Sequence, residues 1–208
     1  RRHFHGRKFL FPLLDQGPNN QFLQFRVALQ KAHALNRTLV LPIWLPHNPK
    51  FQHFHPGAPP TPSRDKWLDQ LWYPFETAFD TAGFGQFVRT IPLPTFRLLL
   101  AAGQLDHCIA HRSGFESYLR LSAVGCTSFS KSFSGGEGEA TSSNAAVASD
   151  LAAAQHVRML GFHQYDYVLG TRSRYYDYLH TAPPLAARAS SFAQSLFGAR
   201  PYLAVHVR

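Results

Sequence analysis

Short apolar runs alternate along this chain with longer segments in which apolar residues return every third or fourth position. "KFLFPLL", Lys8 to Leu14, is an uninterrupted apolar and aromatic run and reads as a buried strand. After a Gly17–Gln21 turn, apolar residues fall at Phe22, Phe25, Ala28, Leu29, Ala32 and Leu35. That spacing predicts a helix from Asn20, with Asn19 or Asn20 as its cap. "TLVLP", Thr38 to Pro42, then returns to a continuous apolar run and reads as a second strand. Strand, glycine turn, helix and strand make one βαβ unit, with the turn at the carboxyl end of its first strand.

The same reading continues downstream. "FGQFVRTIPLPTFRLLLAAG" predicts a strand into Ile91 and a helix with Pro94 in its first turn and Gly103 near its end. Asp150 to Leu160 reads as a helix, "YDYVLG" as a strand, and "PPLAARASSFAQSLFG" as a helix opened by prolines and closed by Gly198. "YLAVHV", Tyr202 to Val207, reads as a last buried strand. Leu45–Ser63, rich in proline and histidine, has no period, and the Ser/Gly/Ala-rich Thr127–Ser149 reads as a disordered insertion. The alternation predicts an α/β class with a mostly parallel sheet.

Composition adds constraints. The 208 residues carry a formal charge of +9, but the cations are scattered and never form a run of five or six, which argues against a nucleic-acid partner. No stretch is long and apolar enough for a membrane span. The chain opens at Arg1 without methionine and closes at Arg208 directly after an apolar run, so it is expected to be a fragment. Cys108 and Cys126 are compatible with a disulfide or with two buried thiols. Asn36–Thr38 is an N-glycosylation sequon, equally readable as a chance tripeptide at a helix end.

Ligands of open α/β sheets sit beyond the carboxyl ends of the strands, where two features of the sequence fall. In the Gly17–Asn20 turn (Gly17, Pro18, Asn19, Asn20), helix-start amides favour an anion, and glycine permits close approach; the alternative is a plain strand-to-helix turn. In "VHVR", His206 and Arg208 are two apart on a strand and project from one face, where the arginine can grip a phosphate with two donors or pair with a carboxylate. No HExxH, Cys–His or Asp-x-Asp spacing provides for a metal, and Glu137 and Glu139 lie in the low-complexity insertion.

Together "GPNNQFLQFRVALQKAHALNRTLVLPIW", "YPFETAFDTAGFGQFVRTIPLPTF" and "YLAVHVR" resemble, in order, segments of the GDP-fucose protein O-fucosyltransferases. The resemblance implies a GT-B enzyme of two Rossmann-like halves that transfers fucose from GDP-fucose to Ser/Thr hydroxyls with inversion. Residues 1–200 would be the N-terminal half and 201–208 the first strand of the donor-binding half. It implies that Asn20 lines the fucose and phosphate site and that Arg208, with His206, contacts the diphosphate. Asn20 and Arg208 are then the catalytic candidates, with no metal or other cofactor. The implied partners are GDP-fucose and an acceptor such as an EGF-like or thrombospondin-type repeat, and the implied location is the endoplasmic reticulum or Golgi lumen. A lumenal compartment favours the Cys108–Cys126 disulfide and glycosylation of Asn36. The turn departs from some relatives, having Pro18 and Asn19 where they have arginine and phenylalanine. The alternatives are a GT-B enzyme acting on glycans and a non-catalytic nucleotide- or glycan-binding relative.

Overall fold

The computed structural model describes residues 4, 6–14, 18–44, 73–100, 105–110, 126–131, 144–163 and 179–202. The strands are β1 (Phe9–Pro12), β2 (Thr38–Leu41), β3 (Ile43–Trp44), β4 (Tyr73–Pro74), β5 (Thr90–Pro92), β6 (His107–Ala110), β7 (Phe129–Lys131) and β8 (Met159–His163). The helices are α1 (Pro18–Ala34), α2 (Phe75–Ala78), α3 (Thr81–Phe87), α4 (Leu93–Arg97), α5 (Asn144–Ala153) and α6 (Pro183–Phe197).

Six strands form one sheet in the order β5-β2-β1-β8-β6-β7, and every pairing in it is parallel. β3 and β4 pair separately as a short antiparallel ribbon. A parallel sheet must be covered on both faces, and here alternation along each strand supplies two cores. Leu10, Leu39, Leu41, Ile109, Leu160 and Phe162 point to the face covered by α1, where Phe25, Ala28, Leu29 and Ala32 meet them. Phe9, Phe11, Val40, Cys108 and Met159 point to the other face, where Phe96 of α4 lies against Phe9 and Phe11, with ring centroids 5.6 and 5.8 Å away. The class is therefore α/β and Rossmann-like.

The predicted β1–α1–β2 unit is present, with α1 beginning two residues earlier than its period indicates. Proline is favoured at a first helical position because its missing N–H would have no partner there. Asn19 and Asn20 consequently lie inside the first turn, not ahead of it as caps.

Four other expectations are corrected. The helix after β5 ends at Arg97, well short of Gly103. The residues before β5 form α3, so the strand is confined to Thr90–Pro92. The helix expected to reach Leu160 is α5, which starts at Asn144 and ends at Ala153. A single 3-10 turn (Ala154–His156) and an extended Val157 follow it, and Leu160 belongs to β8. Thr127–Ser149 is not wholly irregular: Phe129–Lys131 pairs with β6 as an edge strand, and Asn144–Ser149 opens α5. Leu45–Ser63, "YDYVLG" and Leu203–Arg208 lie outside the described residues, and Tyr202 is not in a strand.

Candidate functional site

The strand order places a topological switch beside β1. The chain leaves β1 through α1 to β2 on one side, while β8 is its hydrogen-bonded neighbour on the other. β2 and β5 lie on one side of β1, and β8, β6 and β7 on the other, and the carboxyl edge beside such a reversal of strand order is where open α/β sheets bind ligands. The N-terminus of α1 opens onto this edge with the positive end of its dipole.

Asn20 is half-buried in the first turn of α1 and already engaged in a polar interaction. Gln21 and Gln24 are 1% and 2% exposed, and both are engaged, as buried amides must be. His163, the last residue of β8, is fully buried, and its Nδ1 lies 2.8 Å from the carbonyl of Leu13 just after β1. A carbonyl can only accept, so Nδ1 carries the proton and donates it. This bond ties the end of β8 to the start of the β1–α1 connection. The edge thus has a helix N-terminus, Asn20 and a rigid floor of buried amide and imidazole groups, which suits a polar or anionic ligand.

The remaining sequence candidates are distributed differently. Pro18 and Asn19 open α1, whereas Gly17, His206 and Arg208 lie outside the described residues, as does any meeting of Arg208 with Asn20. Asn36 is at the opposite, amino edge of the sheet, exposed, and in the left-handed conformation at φ 50°. Its Oδ1 accepts from Nη2 of Arg89 at 2.8 Å. Thr38 of the same sequon is 1% exposed inside β2. Cys108 and Cys126 form a disulfide with Cα atoms 5.7 Å apart, tying β6 to the residues that lead into β7.

Arg37 is a structural residue that no sequence pattern singled out. It is 2% exposed, and its guanidinium donates to the carbonyls of Val157 and Ala154 at 2.8 Å each and of Phe9 at 3.2 Å. It closes the end of the 3-10 turn onto the start of β1. Burial lowers its pKa, yet an arginine stays charged. His107 of β6 is also at the amino edge, with Nδ1 2.7 Å from Ser128 Oγ and Nε2 3.0 Å from Ser130 Oγ. Desolvation lowers its pKa, partly offset by the carboxylate of Asp150. These bonds latch β7 and the residue before it to β6.

His163 and Gln24 were also missed. Their signals were a histidine closing the apolar run "MLGFH" and a glutamine three residues after Gln21 on the inward side of an amphipathic helix. Among the described residues, no group of three His, Cys, Asp or Glu side chains could hold a metal ion.

No protein-family model matches the chain, and no curated protein matches it. Among solved structures it is similar to POFUT1 in its apo form, with TM-score 0.54 and 16% identity. It is also similar to POFUT1 in complex with GDP-fucose (TM-score 0.52, 15% identity) and with GDP (TM-score 0.52, 18% identity). Each match covers 91% of this chain but only 54% or 55% of the solved one, so the chain spans about half the length of those proteins. At this identity the likeness is one of fold: the chain carries a Rossmann-like α/β unit of the kind found in POFUT1, a GT-B enzyme.

Proposed function

We propose that the chain is the N-terminal portion of a GDP-fucose protein O-fucosyltransferase and that the carboxyl edge beside β1 takes the donor. The observation that carries this reading is the first turn of α1, with Asn20, at the switch point of a sheet whose fold matches proteins solved with GDP-fucose. In the proposed reaction an acceptor Ser or Thr oxygen attacks the anomeric carbon of fucose from the face opposite the diphosphate. The bond from that carbon to the β-phosphate oxygen breaks, GDP leaves with the electron pair, and the hydroxyl proton is given up. Inversion follows from the single displacement. Charge develops on the leaving diphosphate, and Arg208 is proposed to neutralise it through two parallel hydrogen bonds, with His206 beside it and Asn20 orienting the sugar. No metal is required if the guanidinium fills that role. The acceptor would be a folded repeat of EGF-like or thrombospondin type, and the site of action the endoplasmic reticulum or Golgi lumen. A lumenal location would also make Asn36, exposed at the far edge, a glycan acceptor before β2 closes over Thr38.

The test is fucose transfer by the full-length protein from GDP-fucose to such a repeat, with a chelator present. Losing a preorganised donor to developing charge costs on the order of 3 kcal/mol, about a hundredfold in turnover. Arg208→Lys should therefore fail almost as badly as Arg208→Ala, because lysine lacks the planar pair of donors. Near-normal turnover by Arg208→Lys removes the bidentate role, and loss of activity with chelator removes the metal-free one.

A further inference from the structure

A cleft of about 340 Å³ opens at the amino edge of the sheet, away from the Asn20 turn. One wall is the last turn of α1 and the residues leading into β2; the other is the end of α3 and the residues leading into β5. That volume is at the small end of ligand sites and suits a sugar-sized molecule. Its polar lining includes Arg37, Arg89, His33 and Gln86, and no acidic side chain. Arg89 is exposed, and among the described residues no carboxylate pairs with it; its Nη2 donates to Asn36 Oδ1 at 2.8 Å. That bond holds one corner of the guanidinium and leaves its other N–H donors for a ligand. A glycan on Asn36 would be carried by Nδ2 and would leave the bond in place. His33 Nδ1 donates to the Phe87 carbonyl at 2.8 Å, and its ring stacks on Phe87 with centroids 4.0 Å apart. Nε2 of the fixed ring has no partner among the described residues.

Charge decides the class of ligand. The carboxyl end of α1 opposes an anion with about −0.5 of a charge, but the two guanidiniums outweigh it. The carbonyls at that end are also engaged, His33 O by Asn36 N at 3.0 Å and Ala32 O by Arg37 N at 2.8 Å. Arg37 spends its donors on the Phe9, Ala154 and Val157 carbonyls and contributes field alone, so Arg89 is the group that makes contact. We infer that this cleft binds a sugar-sized molecule bearing a phosphate or sulfate ester. Arg89 grips the oxyanion through paired N–H donors, and His33 Nε2 and Gln86 meet the hydroxyls of the sugar. Phe87 offers its ring to the apolar face of the ligand. This site is apart from the edge proposed for the donor and stands whatever binds there. Gly85 on the lip provides a handle, because a Cβ built on it meets nothing within 4 Å and a side chain there enters open space.

Phenylglyoxal modification of the full-length protein, read arginine by arginine in a mass spectrometer, tests the site without any nucleotide. Millimolar glucose 6-phosphate or glucose 6-sulfate, at constant ionic strength, should slow modification of Arg89 several-fold and leave the exposed Arg7 unchanged. Protection by either ester supports the site, and the stronger of the two identifies the preferred oxyanion; neutral glucose should give none. Gly85→Ala should keep the protection. Gly85→Glu adds a carboxylate to the cleft, in a helix that favours glutamate over glycine, and should abolish protection with the circular dichroism spectrum unchanged. Equal slowing of Arg7 and Arg89, which an ion atmosphere alone produces, overturns the proposal. So does protection by neutral glucose, protection that persists in Gly85→Glu, or none from either ester.

Discussion

Arg37→Ala should be among the most destabilising single changes in this molecule. The guanidinium makes two charged hydrogen bonds at 2.8 Å, one at 3.2 Å and a long contact to the Gln155 carbonyl at 3.5 Å. Hydrogen bonds from a charged donor contribute about 1.5–3 kcal/mol each, so the two short ones amount to roughly 3–6 kcal/mol. The cost of burying the charge, visible as the lowered pKa, offsets part of this. Truncation recovers that cost but leaves the Phe9, Ala154 and Val157 carbonyls orphaned beside a void, at about 1–3 kcal/mol for each group that water cannot reach. The expected net loss is about 4 kcal/mol, a large share of the 5–15 kcal/mol typical of a whole domain. For a chain of this size that lowers Tm by roughly 8–16 °C. Arg37→Lys should lose about half as much, because one ammonium can serve the carbonyls on one side only. Urea unfolding followed by far-UV circular dichroism, with the disulfide intact, measures both. An Arg37→Ala variant within about 1 kcal/mol of the parent, at unchanged m-value, would refute the capping role.

Gly161 gives a steric test. A Cβ there would lie 2.6 Å from Cys108 Sγ and 2.9 Å from Leu105 Cδ1; the sulfur is held by its disulfide, and the backbone is paired to β1 and β6. Gly161→Ala should cost about 1–3 kcal/mol, and less in a Cys108→Ala background; additive effects in that double-mutant cycle would contradict the packing. His107 gives a pH test. Its folded-state pKa is lowered by desolvation, so the unfolded chain binds the proton more readily, and its contribution is present above the ordinary histidine value and lost as pH falls through the folded value. Unfolding titrations should show stability declining below about pH 6.5. His107→Gln should flatten that decline, and an unchanged slope would remove the latch from the account.

The β1–α1–β2 unit was legible because its pattern is local. Two unbroken apolar runs flank a helix whose apolar stripe has a single period, and both β1 and β2 are buried throughout. α6 was legible from its punctuation, prolines before and Gly198 after. β6 and β7 were not, because "HCIA" and "FSK" are short and partly polar, and parallel neighbours hold them in place. α5 was hidden in alanine-rich sequence that resembles a linker, although alanine is the strongest helix former. β8 was merged into it because a five-residue apolar run has no period that separates strand from helix. At the site, the turn drew attention to Asn20. The roles of Arg37 and His163 depend on carbonyls more than a hundred residues away in sequence, which no local pattern records.

The most direct measurement of the central claim is a crystal structure of the full-length protein with GDP-fucose bound. The account predicts the diphosphate and sugar at the carboxyl edge, with Asn20 within about 3 Å of the donor and the first turn of α1 facing it. A donor bound instead at the amino edge, beside Arg89 and Asn36, would contradict it.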